Sequence, residues 1–110
     1  MIMVKHVILW TLSPNLSEEE KKAVKAGIKE GLEGLVGKVP GLIDAKVNID
    51  GRLVSSNADV MLDSTLESEA ALKVYATHLE NVVVAGGKVR PYTVDRLCFD
   101  FEILLTTLFS

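Results

Sequence analysis

Two periods of apolar and polar residues alternate along this chain, and each change of period marks a new element. From Val4 to Leu12 the chain is rich in Val, Ile, Leu and Trp and stops at Ser13-Pro14. His6, Ile8 and Trp10 share one period-2 face, and Val7 and Leu9 share the other with Lys5. A strand apolar on both faces must be covered on both sides, so this run is predicted to be central in a sheet. Ser17-Glu18-Glu19-Glu20 then has the form of a capping box, with Ser17 as N-cap. Val24, Ile28, Leu32, Leu35 and Val39 follow at helical spacing and predict a helix to about Gly37. Gly27, Gly31 and Gly34 form a stripe beside that apolar face. Each costs roughly 1 kcal/mol of helix propensity relative to Ala, so close packing on the sheet is the expected reason for them.

Pro40-Gly41 closes the segment. Ile43, Ala45, Val47 and Ile49 then alternate with Asp44, Lys46 and Asn48, the pattern of a half-exposed edge strand. After the Asp50-Gly51 turn, Ala58 to Leu66 reads as a third strand, with Val60 and Leu62 opposite Met61. Ser68 is predicted to cap a second helix from Glu69 to about Leu79, with Leu72, Tyr75, His78 and Leu79 on one side. Val82 to Ala85 adds a helical turn before Gly86-Gly87, and Pro91 breaks the chain. The last strand, Val94 to about Leu104, sets Leu97, Phe99, Phe101 and Ile103 against Arg96, Cys98, Asp100 and Glu102.

The order strand, helix, strand, strand, helix, strand is the split βαβ plan, which predicts a single α+β ferredoxin-like domain over residues 1–110. Its four-stranded antiparallel sheet would carry both helices on one face. The other face would then expose Val7, Leu9, Met61, Leu97, Phe99, Phe101 and Ile103, more apolar surface than soluble monomers show. A second copy laid sheet against sheet with two-fold symmetry is the simplest cover, so a homodimer through this face is expected.

Composition sharpens that expectation. Of 110 residues, 48% are hydrophobic and only 25% charged, and the mean hydropathy is +0.28. This is apolar enough to call for a second buried surface. The net charge of −3, with acidic and basic residues interspersed in the first half, gives nucleic-acid binding no support. The N-terminal apolar run is short and carries Lys5 and His6, so it reads as a strand and not as a signal peptide or membrane span. A single cysteine, Cys98, excludes an intrachain disulfide and is expected to be buried and inert. These features point to a cytoplasmic protein that binds neither nucleic acid nor membrane.

The residues also resemble a known family, the stress-responsive A/B barrel domain (Dabb) proteins of the dimeric α+β barrel superfamily. The resemblance spans roughly residues 3 to 102. It is carried by Met3-Val4-Lys5-His6-Val7-Ile8-Leu9, Ser17-Glu18-Glu19-Glu20, Val39-Pro40-Gly41, and Ser64-Thr65-Leu66-Glu67-Ser68 with Tyr75-Ala76-Thr77-His78. Asp95-Arg96-Leu97 with Cys98-Phe99-Asp100-Phe101-Glu102 completes it. It implies a homodimer whose two sheets form a barrel, with a pocket between sheet and helices in each subunit. A plant polyketide cyclase of this family performs intramolecular aldol chemistry without a cofactor, using the Tyr and the second His of a Tyr-x-x-His-Pro-x-His motif. Here the segment reads Tyr75-Ala76-Thr77-His78-Leu79-Glu80-Asn81. Asn81 stands where the cyclase has its catalytic His, and Asn has no proton to exchange near neutral pH.

The candidate site follows from the predicted packing. His6 is on the helix-facing side of the first strand, and Tyr75 and His78 are neighbours on the second helix. The three are the candidate catalytic residues, able to exchange protons with a small carbonyl or phenolic ligand. Ile8, Trp10, Val24, Ile28, Val60 and Leu62 are the candidate apolar walls. Asn81 and Arg96 are candidate ligand contacts, Arg96 for an anionic group. Two His without Asp or Glu at ligand spacing predict no metal site. No phosphate loop or dinucleotide fingerprint occurs, so no cofactor is expected. Two functions fit: a homodimer binding a small, largely apolar molecule, and a cofactor-independent lyase, cyclase or isomerase using His6, Tyr75 and His78. A haem- or quinol-type monooxygenase ranks behind both, because no distinctive residues support it.

Overall fold

The computed structural model describes residues 1–104, and the remainder of the expected domain lies outside the described residues. In chain order the elements are β1 (Ile2–Leu12), α1 (Glu18–Glu33), β2 (Leu42–Asn48), β3 (Val60–Leu66), α2 (Glu69–Thr77), α3 (Leu79–Val84) and β4 (Thr93–Leu104). A π-helical turn, Ala85–Val89, and a 3-10 turn, Arg90–Tyr92, lead from α3 into β4. The strands form one sheet in the order β2-β3-β1-β4, and every neighbouring pair is antiparallel. This is the ferredoxin-like arrangement, with β1 and β3 central as the doubly apolar β1 requires.

Local chemistry explains where the helices begin. The Ser17 hydroxyl accepts the Glu20 N–H at 3.1 Å, and the Glu20 carboxylate accepts the Ser17 N–H at 2.8 Å, closing the predicted capping box. Ser68 caps α2 by the one-way bond alone, its hydroxyl accepting the Ala71 N–H at 3.1 Å. The core lies between one sheet face and the helices. Ile8, Trp10, Val47, Val60, Leu62 and Leu66 from the strands meet Ile28, Leu32, Leu35 and Tyr75.

Four details depart from the sequence reading. Helix α1 ends at Glu33, where the bonding tightens to three-residue turns: the Leu35 N–H donates to the Leu32 carbonyl at 3.2 Å and the Val36 N–H to the Glu33 carbonyl at 3.3 Å; Gly37, at φ +89°, lies in the turns beyond it. Strand β2 shifts register between Leu42 and Asp44, so Ile43 sits at a bulge and is exposed instead of alternating into the core. Of the Gly stripe only Gly31 packs closely on another element, and that element is α3 rather than the sheet; Gly27 faces Lys88 of the π-helical turn, and Gly34 meets only the carbonyls of its own helix. A Cβ on Gly31 would lie 2.8 Å from Val84 Cγ1.

The fourth departure matters most for the site. The second helix does not reach Leu79. His78 takes φ −63° and ψ 133°, closing α2 and opening α3, with its Nδ1 accepting the Glu80 N–H at 3.1 Å. Leu79 is left exposed. The Asn81 amide donates to the Tyr75 carbonyl at 3.0 Å and braces this break.

Candidate functional site

A cavity of about 370 Å³ opens between the helix-facing side of the sheet and the α2–α3 segment. Its floor is β1 and β3, through His6, Ile8, Trp10 and Leu62. Leu32 of α1, Tyr75 and Ala76 of α2, Asn81 of α3, and Ala85, Val89 and Arg90 make the opposite side. Arg96 of β4 closes one end. The wall is largely apolar with a few convergent polar groups, the usual composition of a small-molecule pocket.

Of the residues expected from the sequence, the structure brings His6, Tyr75, Ile8, Trp10, Leu62, Asn81 and Arg96 to this cavity. His78 does not join them: its ring is spent as the N-cap of α3. Ile28 is fully buried in the core, where it fills space rather than lining it. Val60, paired with Trp10 and two residues from Leu62, does not line the cavity and borders a separate groove with Leu9 and Ile49. Val24 faces another depression, with Leu16, Lys88 and Tyr92.

The sequence reading missed the partners of His6. In the β1–β4 register His6 lies directly opposite Asp100, and Ile8 opposite Cys98. The His6 Nδ1 is 2.5 Å from Asp100 Oδ1 and 3.8 Å from Cys98 Sγ, and Cys98 Sγ is 3.3 Å from the same carboxylate oxygen. Separations of 94 and 92 residues along the chain hide this cluster from any motif search. Alternation alone places Cys98 and Asp100 on the helix-facing side; only the pairing of β4 with β1 shows which residue they meet.

An ionised carboxylate only accepts hydrogen bonds, so the Asp100 contact assigns a proton to Nδ1 and leaves a lone pair on Nε2. Among the described residues, no hydrogen-bond partner is found for Nε2. The His6 ring also packs edge to face on Tyr75, with centroids 5.7 Å apart.

Burial pushes the Tyr75 hydroxyl up to about 12, a rise that the nearby Arg96 guanidinium partly opposes. Tyr75 therefore stays protonated across the physiological range and can donate a hydrogen bond but not act as a base. Cys98 is exposed, not buried as expected, because the helices stop short of β4. Partial desolvation, then the hydrogen bond and charge of Asp100, still push its thiol up, against a smaller opposing effect of Arg96. The free thiol is thus a weak nucleophile.

Asp59 and Asp63, just before and within β3, are engaged elsewhere. Asp59 accepts the Leu12 N–H at 2.8 Å and lies 3.4 Å from Arg52. Asp63 is paired with Lys5 at 2.7 Å on the face away from the helices.

Fold and cavity together define a ferredoxin-like α+β domain with a pocket between sheet and helices. The stress responsive A/B barrel domain model matches residues 4–103, and the chain belongs to that family. A dimeric protein of unknown function and ferredoxin-like fold from Bacteroides fragilis superposes with a TM-score of 0.84 at 30% identity, over 92% of this chain and 96% of that one. A dimeric ferredoxin-like protein of unknown function from Thermobifida fusca gives 0.75 at 19% identity, over 93% and 92%. The hydroxynitrile lyase of Passiflora edulis shares the fold, with a TM-score of 0.69 at 18% identity over 94% and 95%. Among curated proteins none matches the chain significantly.

Proposed function

We propose that this protein works as a homodimer. Each subunit would hold a small, largely apolar molecule with a carbonyl or acidic group in its cavity, and His6 would move a proton on that molecule without a cofactor. The observation that carries the reading is the His6–Asp100 contact at the cavity floor. It fixes the imidazole tautomer, presents Nε2 as a base, and stabilises the imidazolium formed on proton transfer.

The remaining wall suits the same chemistry. Tyr75 is a protonated donor for a carbonyl or enolate oxygen, and Arg96 and Arg90 supply positive charge for an acidic substituent. His78 and Asn81 take no part as bases. The acid–base pair is therefore assigned to Tyr75, at the position of the cyclase's tyrosine, and to His6 of β1 in place of the histidine that Asn81 replaces.

Dimerisation rests on the opposite sheet face. There Leu97 and Phe99 are 69% and 68% exposed, with the Phe99 and Phe101 rings tilted by 30° and their centroids 5.2 Å apart. Covering a patch of several hundred Å² is worth on the order of 10 kcal/mol before association costs. The 30% identical Bacteroides fragilis protein is described as dimeric.

The direct test is proton exchange on carbon. Short β-diketones and phenolic acids are incubated with the protein in heavy water, and loss of the C–H signal is followed by NMR. The expected result is exchange with at least one of these compounds, slowed by roughly 10²-fold or more in His6→Gln, the usual contribution of a general base. Equal exchange with wild type and His6→Gln across the panel would overturn the acid–base reading. Binding alone would still show as quenching of Trp10, the single tryptophan and a residue of the cavity wall.

A further inference from the structure

We infer that His6, Cys98 and Asp100 form a binding site for a thiophilic divalent cation, with Zn²⁺ the ion that best matches the donor set. An imidazole nitrogen, a thiol sulfur and a carboxylate oxygen, each a preferred zinc ligand, all lie within 4.8 Å of one another. Two of them, Cys98 and Asp100, are i and i+2 on one face of β4, and His6 faces Asp100 across the ladder. The strand pairing holds the donors together whether or not an ion is bound.

The spacing is close to that of a coordination shell. Zinc bonds of about 2.0–2.2 Å to nitrogen and oxygen and about 2.3 Å to sulfur imply tetrahedral edges of roughly 3.3–3.6 Å. The Cys98–Asp100 and Cys98–His6 separations are 3.3 Å and 3.8 Å. Only the His6–Asp100 edge is short, at 2.5 Å, the length of a hydrogen bond rather than of a coordination edge. Replacing the proton by the ion opens this edge, and Asp100, with 39% of its side chain exposed, has room to turn. The exposure of Cys98 and Asp100 gives the ion a path from solvent.

The charges balance. The bound thiol is deprotonated by the metal, so thiolate and carboxylate neutralise the divalent ion and one proton leaves to solvent. The Nδ1 proton moves to Nε2. Three protein ligands leave a fourth position for water or a small ligand, as in open zinc sites. Arg96, on the same face of β4, keeps its own charge and weakens the site without removing a ligand. The site stands on the trio's geometry and does not require the cavity to have a substrate. If His6 is also the base, metal and base are alternative states of it, since an imidazole bound through Nδ1 carries its proton on Nε2 and no longer accepts one there.

Titration of the purified protein with Co²⁺ alone tests this, reading the thiolate-to-cobalt charge-transfer absorption, with Zn²⁺ affinity measured by competition against a chromophoric chelator. One ion per subunit is expected. Cys98→Ser should abolish the charge-transfer band and weaken Zn²⁺ by at least tenfold. Asp100→Asn should weaken it comparably while keeping the band. Cys98 and Asp100 sit at exposed positions, so both variants should unfold cooperatively near the wild-type temperature. A wild-type protein with no thiolate band, or Zn²⁺ affinities unchanged within a factor of two in both variants, overturns the site. Neither outcome depends on proton exchange, so failure of the metal site and failure of the acid–base reading are separable.

Discussion

Tyr75 shows how a single side chain is set by its surroundings. Only 3% of the residue is exposed, and burial holds its hydroxyl about two units above the ordinary value of 10.0. The folded state therefore favours the neutral phenol. That preference is fully present below pH 10 and is lost as pH rises toward the folded value of about 12. At 1.36 kcal/mol per unit, the loss amounts to roughly 2–3 kcal/mol. Urea unfolding at about pH 9 and about pH 11.5 should show this alkaline loss in wild type and a clearly smaller one in Tyr75→Phe. In carbon–proton exchange, Tyr75→Phe should slow the reaction about tenfold with little change in stability at neutral pH, because the ring and its packing on His6 remain. Tyr75 could be picked out from its helical spacing, and His6 from its place on an apolar strand face. The departure of His78 could not, because a capping role depends on a backbone turn that helical periodicity does not encode.

At the scale of elements, the join between α1 and β2 depends on a charged pair. Glu33 accepts the Val47 N–H at 2.9 Å and the Lys29 ammonium at 2.9 Å, while Lys29 donates to the Val47 carbonyl at 2.8 Å. The two side chains thus occupy the donor and acceptor that edge strand β2 presents away from β3, which also protects that edge from stray pairing. The Val47 N–H, followed by Lys29, holds the Glu33 carboxyl below its ordinary value of 4.5. A depressed folded value stabilises the fold above about pH 4.5, and that share disappears as pH falls through the folded value. Glu33→Ala should cost about 1 kcal/mol at neutral pH, allowing for its partial exposure, and lower the melting temperature by a few degrees. The difference from wild type should shrink in acid; a constant difference from neutral pH to about pH 3 would rule the carboxylate out as its source. The sequence marked β2 as an edge but gave no sign of this clamp, whose partners are 14 residues apart.

At the scale of the molecule, the sheet has two faces and the helices cover only part of one. The face away from them carries Leu97, Phe99 and Phe101 at exposed positions, interrupted by the Lys5–Asp63 ion pair. Phe99→Glu would put a charge at the centre of the proposed dimer interface, where it would be buried without a partner. Sedimentation at micromolar concentration should show a dimer for wild type and a monomer for the variant. A wild-type monomer, or a variant as dimeric as wild type, would remove the sheet face as the interface. On its other side β4 is uncovered too, and this leaves Cys98 and Asp100 open to solvent beside His6.

By itself the sequence determined the element order, the ferredoxin-like plan, the capped helix starts and the apolar face of β4. All of these rest on local periodicity and on residues a few positions apart. Only the tertiary structure decided what His6 touches. The β1–β4 register sets it opposite Asp100 and close to Cys98, and the break at His78 withdraws the other histidine from the cavity. Strand pairing joins residues more than ninety positions apart, and a single step of register would have sent every one of those side chains to the opposite face.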